Sequence, residues 1–432
     1  MAQALIMGNP GRMTVDSASE MLKMLYYVER EIMRLLGGYL LNVSDWELKK
    51  TIPRHMWQDS LRANALRSRV LELRYPRRDV DEGHDEQLTD FLKVLSKCAN
   101  EREFIEGVYF VTKEFLKTRY EKYLQIAEPI DDAPTIAFMK RFPEEIAEQL
   151  LDVQRLYPQI TRRFVAADDW ISYLERYLTE IGGLEKKGQS AQDLSINTEI
   201  TARPAYVLPE IPARDPKFEK ALYHLPPKFF TPAESSMSFI ERQVCMAINH
   251  VNEMWACEAI GAMVWEWEDM PWEFYLDTAR WCYDELRHCL MGEKRLKAWG
   301  FEIGVDHAMV ADHYISQNGH GPLALLAMIH KFENKAPVWK SSLVTEFTAQ
   351  GDTASAQDFD YDWADESIHM QYGHKWLSYK LNNDIDAIED LMEEAAERWD
   401  DWQANAKRQW DYEPFLSRIT AKIALIERKN HE

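Results

Sequence analysis

The 432-residue chain carries 51 basic against 72 acidic residues, a formal charge of -21, and 46% of it is apolar. That apolar share excludes a disordered chain, and the acidic balance argues against a nucleic-acid or anionic-membrane partner. The length exceeds one ordinary hydrophobic core, so two domains are expected.

No basic stretch at the N-terminus leads into an apolar run, and no segment reaches the ~18–20 apolar residues of a membrane span. Cys98, Cys245, Cys257, Cys282 and Cys289 form neither a CxxC pair nor an even disulfide framework. A reduced, cytoplasmic chain is therefore expected.

From the N-terminus, helical periodicity covers residues 16–41, 52–73, 85–123, 135–156 and 164–181. Met21, Leu25, Val28, Ile32, Leu35 and Leu36 form one apolar stripe, and Gly37 and Gly38 mark its last turns or a close crossing. Pro53 suits the first turn of the next helix. Glu29 and Glu31 precede Asp59 by 30 and 28 residues, but the third position after Asp59 is Arg62, which has no lone pair for a metal. A helical N-terminal domain over 1–203, held by ion pairs, is the expectation, with His55 hydrogen-bonded rather than ligating.

Seven prolines between Pro204 and Pro232 make 204–230 an extended connector. Thr231, Pro232 and Glu234 then form a capping box that starts the next helix.

The region 231–381 holds the chemistry. Glu285 and His288 stand in DELRH and Glu366 and His369 in DESIH, and each motif follows an isolated glutamate: Glu253 by 32 residues, Glu333 by 33. In Glu-x-x-His both side chains share one helix face. Helices over 235–269, 272–299, from Pro322 through Glu333, and 353–381 would carry the six residues away from helix ends. Four such helices direct four carboxylates and two imidazoles inward, the pattern of two-metal helix bundles. Buried together, the carboxylates would repel and lose hydration, and two cations remove that conflict. Glu258 is the alternative to Glu253.

Eight of the twelve histidines lie between His250 and His374. His250 and His330 each precede an isolated glutamate by three residues, which suits hydrogen bonds to the ligands better than direct ligation. Asp284 and Asp365 are placed to orient imidazoles from neighbouring helices, and Tyr372 to donate a proton or carry an electron. His374 is out of register, and Cys282 and Cys289 are core residues. Trp265, Trp267, Phe274 and Tyr275, with Gly319, Gly321 and Pro322, are candidates for an aromatic entrance. The 382–432 extension adds one or two helices with an acidic wet face, including Glu389, Glu393 and Glu397.

With Glu253, DELRH, Glu333 and DESIH in hand, residues 231–381 resemble the ferritin-like di-iron carboxylate superfamily, closest to bacterial members with paired DExxH motifs. The resemblance implies an all-α, ferritin-like four-helix bundle carrying a dinuclear site, preceded by a second, degenerate helical bundle. It also implies two iron ions, or iron with manganese or two manganese ions, with Glu285 and Glu366 bridging and His288 and His369 terminal. The large N-terminal half departs from storage ferritins, so storage carries little weight. The oxygen-rich ligand set suits iron or manganese. Oxidation or oxygenation of a small organic molecule by dioxygen is the leading expectation. A peroxide-consuming or metal-handling protein and a metal-stabilised scaffold are the alternatives. Nothing resembles a flavin or nicotinamide fingerprint, so an external electron donor is implied, and a homodimer is compatible with a bundle.

Overall fold

The computed structural model describes residues 13–83, 85–181, 198–218, 237–407 and 413–431, and the regular elements among them are helices. The proposed Thr231, Pro232 and Glu234 helix start, with Pro226 and Pro227, lies outside the described residues. Pro204 to Pro216 run without helix. The chain forms two compact units, one of Met1–Leu35 with Gln58–Val207, the other of Leu36–Trp57 with Leu208–Glu432. No helix of the described residues is long and apolar enough to cross a membrane.

The first unit takes most of α1 (Val15–Tyr39) and α2 (Trp46–Glu72), then α3 (Glu86–Leu95), α4 (Glu101–Phe104), a π-helical stretch (Ile105–Lys113), α5 (Glu114–Ile126), α6 (Ala133–Met139), α7 (Phe142–Arg163), α8 (Trp170–Glu180) and α9 (Thr198–Thr201). The helix expected over 85–123 is broken because the Asn100 side chain accepts the amides of Arg102 and Glu103 and begins a new one. Pro53 stands inside α2 rather than opening it. Asp45 supplies the start instead, accepting the amide of Leu48 at 3.0 Å.

Ion pairs fill the centre of this unit. Arg62 Nε donates to Glu29 at 2.7 Å and its Nη2 to Asp59, while Lys113 Nζ lies 2.6 Å from Asp59. Tyr120 donates to Glu29 and Gln149 to Asp59. Two carboxylates thus meet two fixed cations, and no charge is left for a metal to cancel.

In the second unit α10 (Phe239–Asn252), α11 (Met254–Glu266), α12 (Trp272–Ala298), α13 (Asp312–Ser316), α14 (Gly321–Glu333), α15 (Ala336–Ala349), α16 (Thr353–Lys380), α17 (Ile385–Lys407) and α18 (Glu413–His431) follow in order. Both α10 and α11 pack on α12, both α14 and α15 pack on α16, and α11 meets α14 as α12 meets α16. Two broken helices and two unbroken ones therefore make the four corners of a bundle. The bundle's first described turn is capped by Ser238 and Glu241 reciprocally. Helix α17 covers α13 and α14, and α18 lies on α10.

The breaks correct one expectation. Glu253 and Glu333 do not stand mid-helix. Glu253 sits between α10 and α11, its amide bonded to the His250 carbonyl at 2.9 Å, and Glu333 is the last residue of α14. At the first break the Asn252 side chain donates to the Ile248 carbonyl, the acceptor the helix ladder uses. At the second, Pro337 lacks an amide hydrogen and stands in the first turn of α15, where none is needed.

Gly37 and Gly261 mark a close helix crossing, since a Cβ on Gly261 would stand 2.4 Å from the Gly37 carbonyl oxygen. Backbone leaves no side chain to yield. Gly261→Ala is expected to lower unfolding stability by ~1–3 kcal/mol, the usual cost of overpacking, in a chemical denaturation curve. An unchanged midpoint would show that the crossing is not tight.

Candidate metal centre

Helix α12 delivers Asp284, Glu285 and His288 to the interior, and α16 delivers Asp362, Asp365, Glu366 and His369, at steps that keep them on one side of each helix. The two imidazoles are fully buried and their ring centroids are 6.0 Å apart. They face one shared centre rather than separate wet surfaces.

His288 Nδ1 lies 3.0 Å from Glu253 and 3.8 Å from Glu285. His369 Nδ1 lies 3.3 Å from Glu285 and 3.9 Å from both Glu333 and Glu366. Potential ligand atoms of Glu253, Glu285 and His288 fall within 4.8 Å of one another, as do those of Glu285, Glu333 and His369. Glu285 belongs to both triads. Glu366 groups in the same way with His288 and Asp362.

The aspartates preceding the paired glutamates cross over. Asp365 Oδ2 is 3.2 Å from His288 Nε2, a hydrogen bond, and Asp284 Oδ2 stands 3.5 Å from His369 Nε2, so each helix sets an aspartate against the other's imidazole. Arg287 ties both aspartates at 2.7 and 2.8 Å, and Arg280 adds a 2.6 Å bond to Asp284. Trp281 stacks on His369 and donates to Glu333 at 3.0 Å.

The outer candidates separate. His250 Nδ1 meets an Arg295 guanidinium, which has only protons to give, so Nε2 carries the hydrogen and donates to Asp362 at 2.7 Å. Burial lowers His250 to about 4, keeping it neutral. His330 instead lies against Gly373 and His374, where a Cβ on Gly373 would meet its ring. Tyr372 is half-buried beside Trp281, and burial raises its hydroxyl to about 12. Glu258 is not at the centre. It is fully buried between Lys49 at 2.5 Å and Arg214 at 2.5 and 2.9 Å, and no charge remains for a metal.

Two residues at the centre have no place in a reading based on Glu-x-x-His. Asp362 is fully buried four residues before Glu366, one turn up the same face. That extra acid at helical spacing was the available signal. Lys340 is 2% exposed, with Nζ 2.5 Å from Asp362, 3.2 Å from Glu253 and 3.9 Å from Glu366. It comes from α15, and no local pattern ties that helix to the motifs.

The electrostatics state what the cluster lacks. Glu253, Glu285, Glu333, Asp362 and Glu366 are five buried carboxylates facing the one Lys340 ammonium, an excess of four negative charges if all ionise. Without a cation the site resolves this by holding protons. Burial, with Glu285 and Asp362, raises Glu366 to about 8 against the pull of Lys340. Burial, with Glu366 and Glu285, lifts Glu333 well above the carboxylate range. Burial alone would lower His288 and His369, but the surrounding carboxylates raise both well above the usual imidazole value. Glu285 and Asp362 go the other way, burial being outweighed for Glu285 by His288 and His369 and for Asp362 by Lys340, His288 and His250.

The fit to a metal pair is also seen atom by atom. Oxygens of Glu253, Glu333, Asp362 and Glu366, Nδ1 of His288 and both ring nitrogens of His369 are buried without a hydrogen-bond partner. Buried polar atoms of this kind are rare unless something else satisfies them. Five of these six residues are among those that the ferritin-like pattern assigns, Asp362 being the other, and two divalent ions would cancel the four excess charges.

A cavity of about 320 Å³ opens onto Glu253, Glu285, Glu333 and Glu366. Its aromatic wall is not the one expected. Trp255, Phe332, Trp339 and Trp399 line it, whereas Trp267, Phe274 and Tyr275 pack edge-on against each other, and Trp265 lies against Gly38. Gly319, Gly321 and Pro322 are not part of the lining either. Turn position alone suggested an entrance, but helix packing consumed those rings.

No curated protein and no solved structure matches the chain. One family model, described as "Protein of unknown function (DUF455)", matches residues 184–414 and so spans the paired motifs, both isolated glutamates, Asp362 and Lys340. That match covers more than half of the 432 residues, and the chain belongs to this family.

Proposed function

We propose that the second unit holds two metal ions, iron or iron with manganese, and uses them with dioxygen to oxidise or oxygenate a small organic molecule. The excess of buried carboxylates around two buried imidazoles carries this reading. Glu253 and His288 would hold one ion and Glu333 and His369 the other, with Glu285 and Glu366 shared. When bound, such a pair supplies two electrons and two Lewis-acidic centres for dioxygen chemistry. The chain's own part is to orient and exclude. Asp365 and Asp284 fix the imidazoles, His250 holds Asp362, and the apolar cavity supports an organic substrate rather than a storage role. The electron donor is a separate protein or small reductant.

The test is metal analysis of the full-length chain together with absorbance on passing from anaerobic to aerobic solution. About two ions per chain and an oxygen-dependent band are expected; a chain with no metal and no spectral response would refute the reading. The first unit should contribute no metal.

The protons on the centre give the proposal a pH signature. Glu366 ionises near 8 rather than at its ordinary 4.5, so the folded metal-free centre binds protons that the unfolded chain has released. Metal must displace them. Uptake is expected to release protons at neutral pH and to tighten as pH rises through about 8, measured by calorimetry in buffers of different ionisation enthalpy. By the same sign, the contribution of Glu366 to metal-free stability is full below 4.5 and is lost as pH rises through about 8. Metal uptake without proton release would contradict this picture.

A further inference from the structure

The centre's cavity carries three polar side chains that the metal reading does not use, Asn249, Lys335 and His313, and of these His313 is the one that lies between aromatic rings. His313, from the short helix α13, is 8% exposed and lines the cavity. Its ring stacks on Trp255 at 4.8 Å with the planes 10° apart, and Phe332 meets it edge-on at 5.6 Å. Its Nδ1 lies 2.8 Å from Oδ1 of the fully buried Asp312.

This arrangement fixes a hydrogen-bond direction. A carboxylate only accepts, so Asp312 takes the hydrogen of Nδ1, and in the neutral ring this leaves Nε2 with a lone pair. An imidazole held by Trp255 stacked on one face, Phe332 edge-on and a carboxylate at Nδ1 cannot rotate to hide that lone pair. Apart from the carboxylates, Lys340, Asn249 and Lys335, the wall is apolar and aromatic, with Ile329, Phe332, Trp339 and Trp399 on it. Flat aromatic walls favour flat ligands, through offset or edge-on ring contacts. The volume of about 320 Å³ is roughly twice the ~150 Å³ that accommodates one benzene ring in an apolar cavity, enough for two fused rings.

We propose that the substrate is a planar aromatic molecule of one or two rings bearing an O–H or N–H group, and that His313, oriented by Asp312, accepts that hydrogen. The ring lies among Trp255, Phe332 and Trp399, and the donor group sets which edge is presented to the carboxylates. His313 is thus a substrate-binding and specificity-determining residue. The inference rests on the proposed metal centre only for the chemistry that follows binding.

Binding of 2-naphthol and of naphthalene to the full-length chain, measured by titration calorimetry on samples whose metal content is determined, tests it. The two probes differ only in the hydroxyl group. A preference of about tenfold for 2-naphthol is expected from one buried hydrogen bond. His313→Phe should keep naphthalene binding, which reports an intact cavity, and erase the preference. If neither probe binds, or the preference survives in His313→Phe, the assignment of His313 is wrong. Two metals per chain with no naphthol preference would overturn this inference alone. A preference that depends on His313 in a chain that takes up no metal would instead overturn the metal reading and leave this one standing.

Discussion

Glu285→Ala is expected to reduce bound metal from about two ions per chain to none, although only one carboxylate is removed. Glu285 is 2% exposed and belongs to both triads, with Glu253 and His288 on one side and Glu333 and His369 on the other. Its loss would remove the one carboxylate common to both triads, so that neither proposed ion would keep its full ligand set. Metal analysis by plasma mass spectrometry checks the stoichiometry. Far-ultraviolet circular dichroism checks that the helices persist, and Glu285→Gln serves as the isosteric companion because an amide oxygen is a poor substitute for an ionised carboxylate. Retention of both ions in both variants would remove Glu285 from its proposed role.

Lys340→Met should be the most destabilising change in the metal-free centre, by ~3–5 kcal/mol, the range for stripping one partner from a buried ion pair. Lys340 is 2% exposed and its ammonium is 2.5 Å from Asp362 and 3.2 Å from Glu253. Although burial opposes its charge, Asp362, Glu253 and Glu366 raise it far above the ordinary lysine value. Methionine keeps most of the volume but none of the charge, leaving the carboxylates uncompensated. Two metal ions supply positive charge in the same place, so the penalty should shrink markedly in metal-loaded protein. Denaturation curves with and without metal separate the cases. An equal loss in both states would mean that Lys340 is a structural ion pair independent of the metals.

The sequence revealed the centre through its repetition. Two Glu-x-x-His motifs, each about one helical hairpin after a lone glutamate, lie on α12 and α16, whose ends fall within a residue of the expected 272–299 and 353–381. Those signals are local and survive in one dimension. The helix breaks at Glu253 and Glu333 were not legible, because periodicity registers which face is apolar and not where the amide ladder slips. Lys340 was missed for a different reason. Its partners Asp362 and Glu253 are 22 and 87 residues away, and only the packing of α15 on α16 brings the first of them near. Glu258 shows the converse, a glutamate of plausible spacing whose cations, Lys49 and Arg214, come from distant segments. In the N-terminal half Arg62, standing where a histidine would complete the motif, was the informative residue, and it pairs with Glu29 and Asp59.

Helix α15 joins two surfaces that would otherwise answer to different molecules: it anchors Lys340 among the acids and presents Trp339 to the cavity. Ions entering the acidic centre would share the neutralising task with Lys340, whose chain neighbour is the cavity-lining Trp339. A shift of this one fourteen-residue helix would therefore be felt in both places at once.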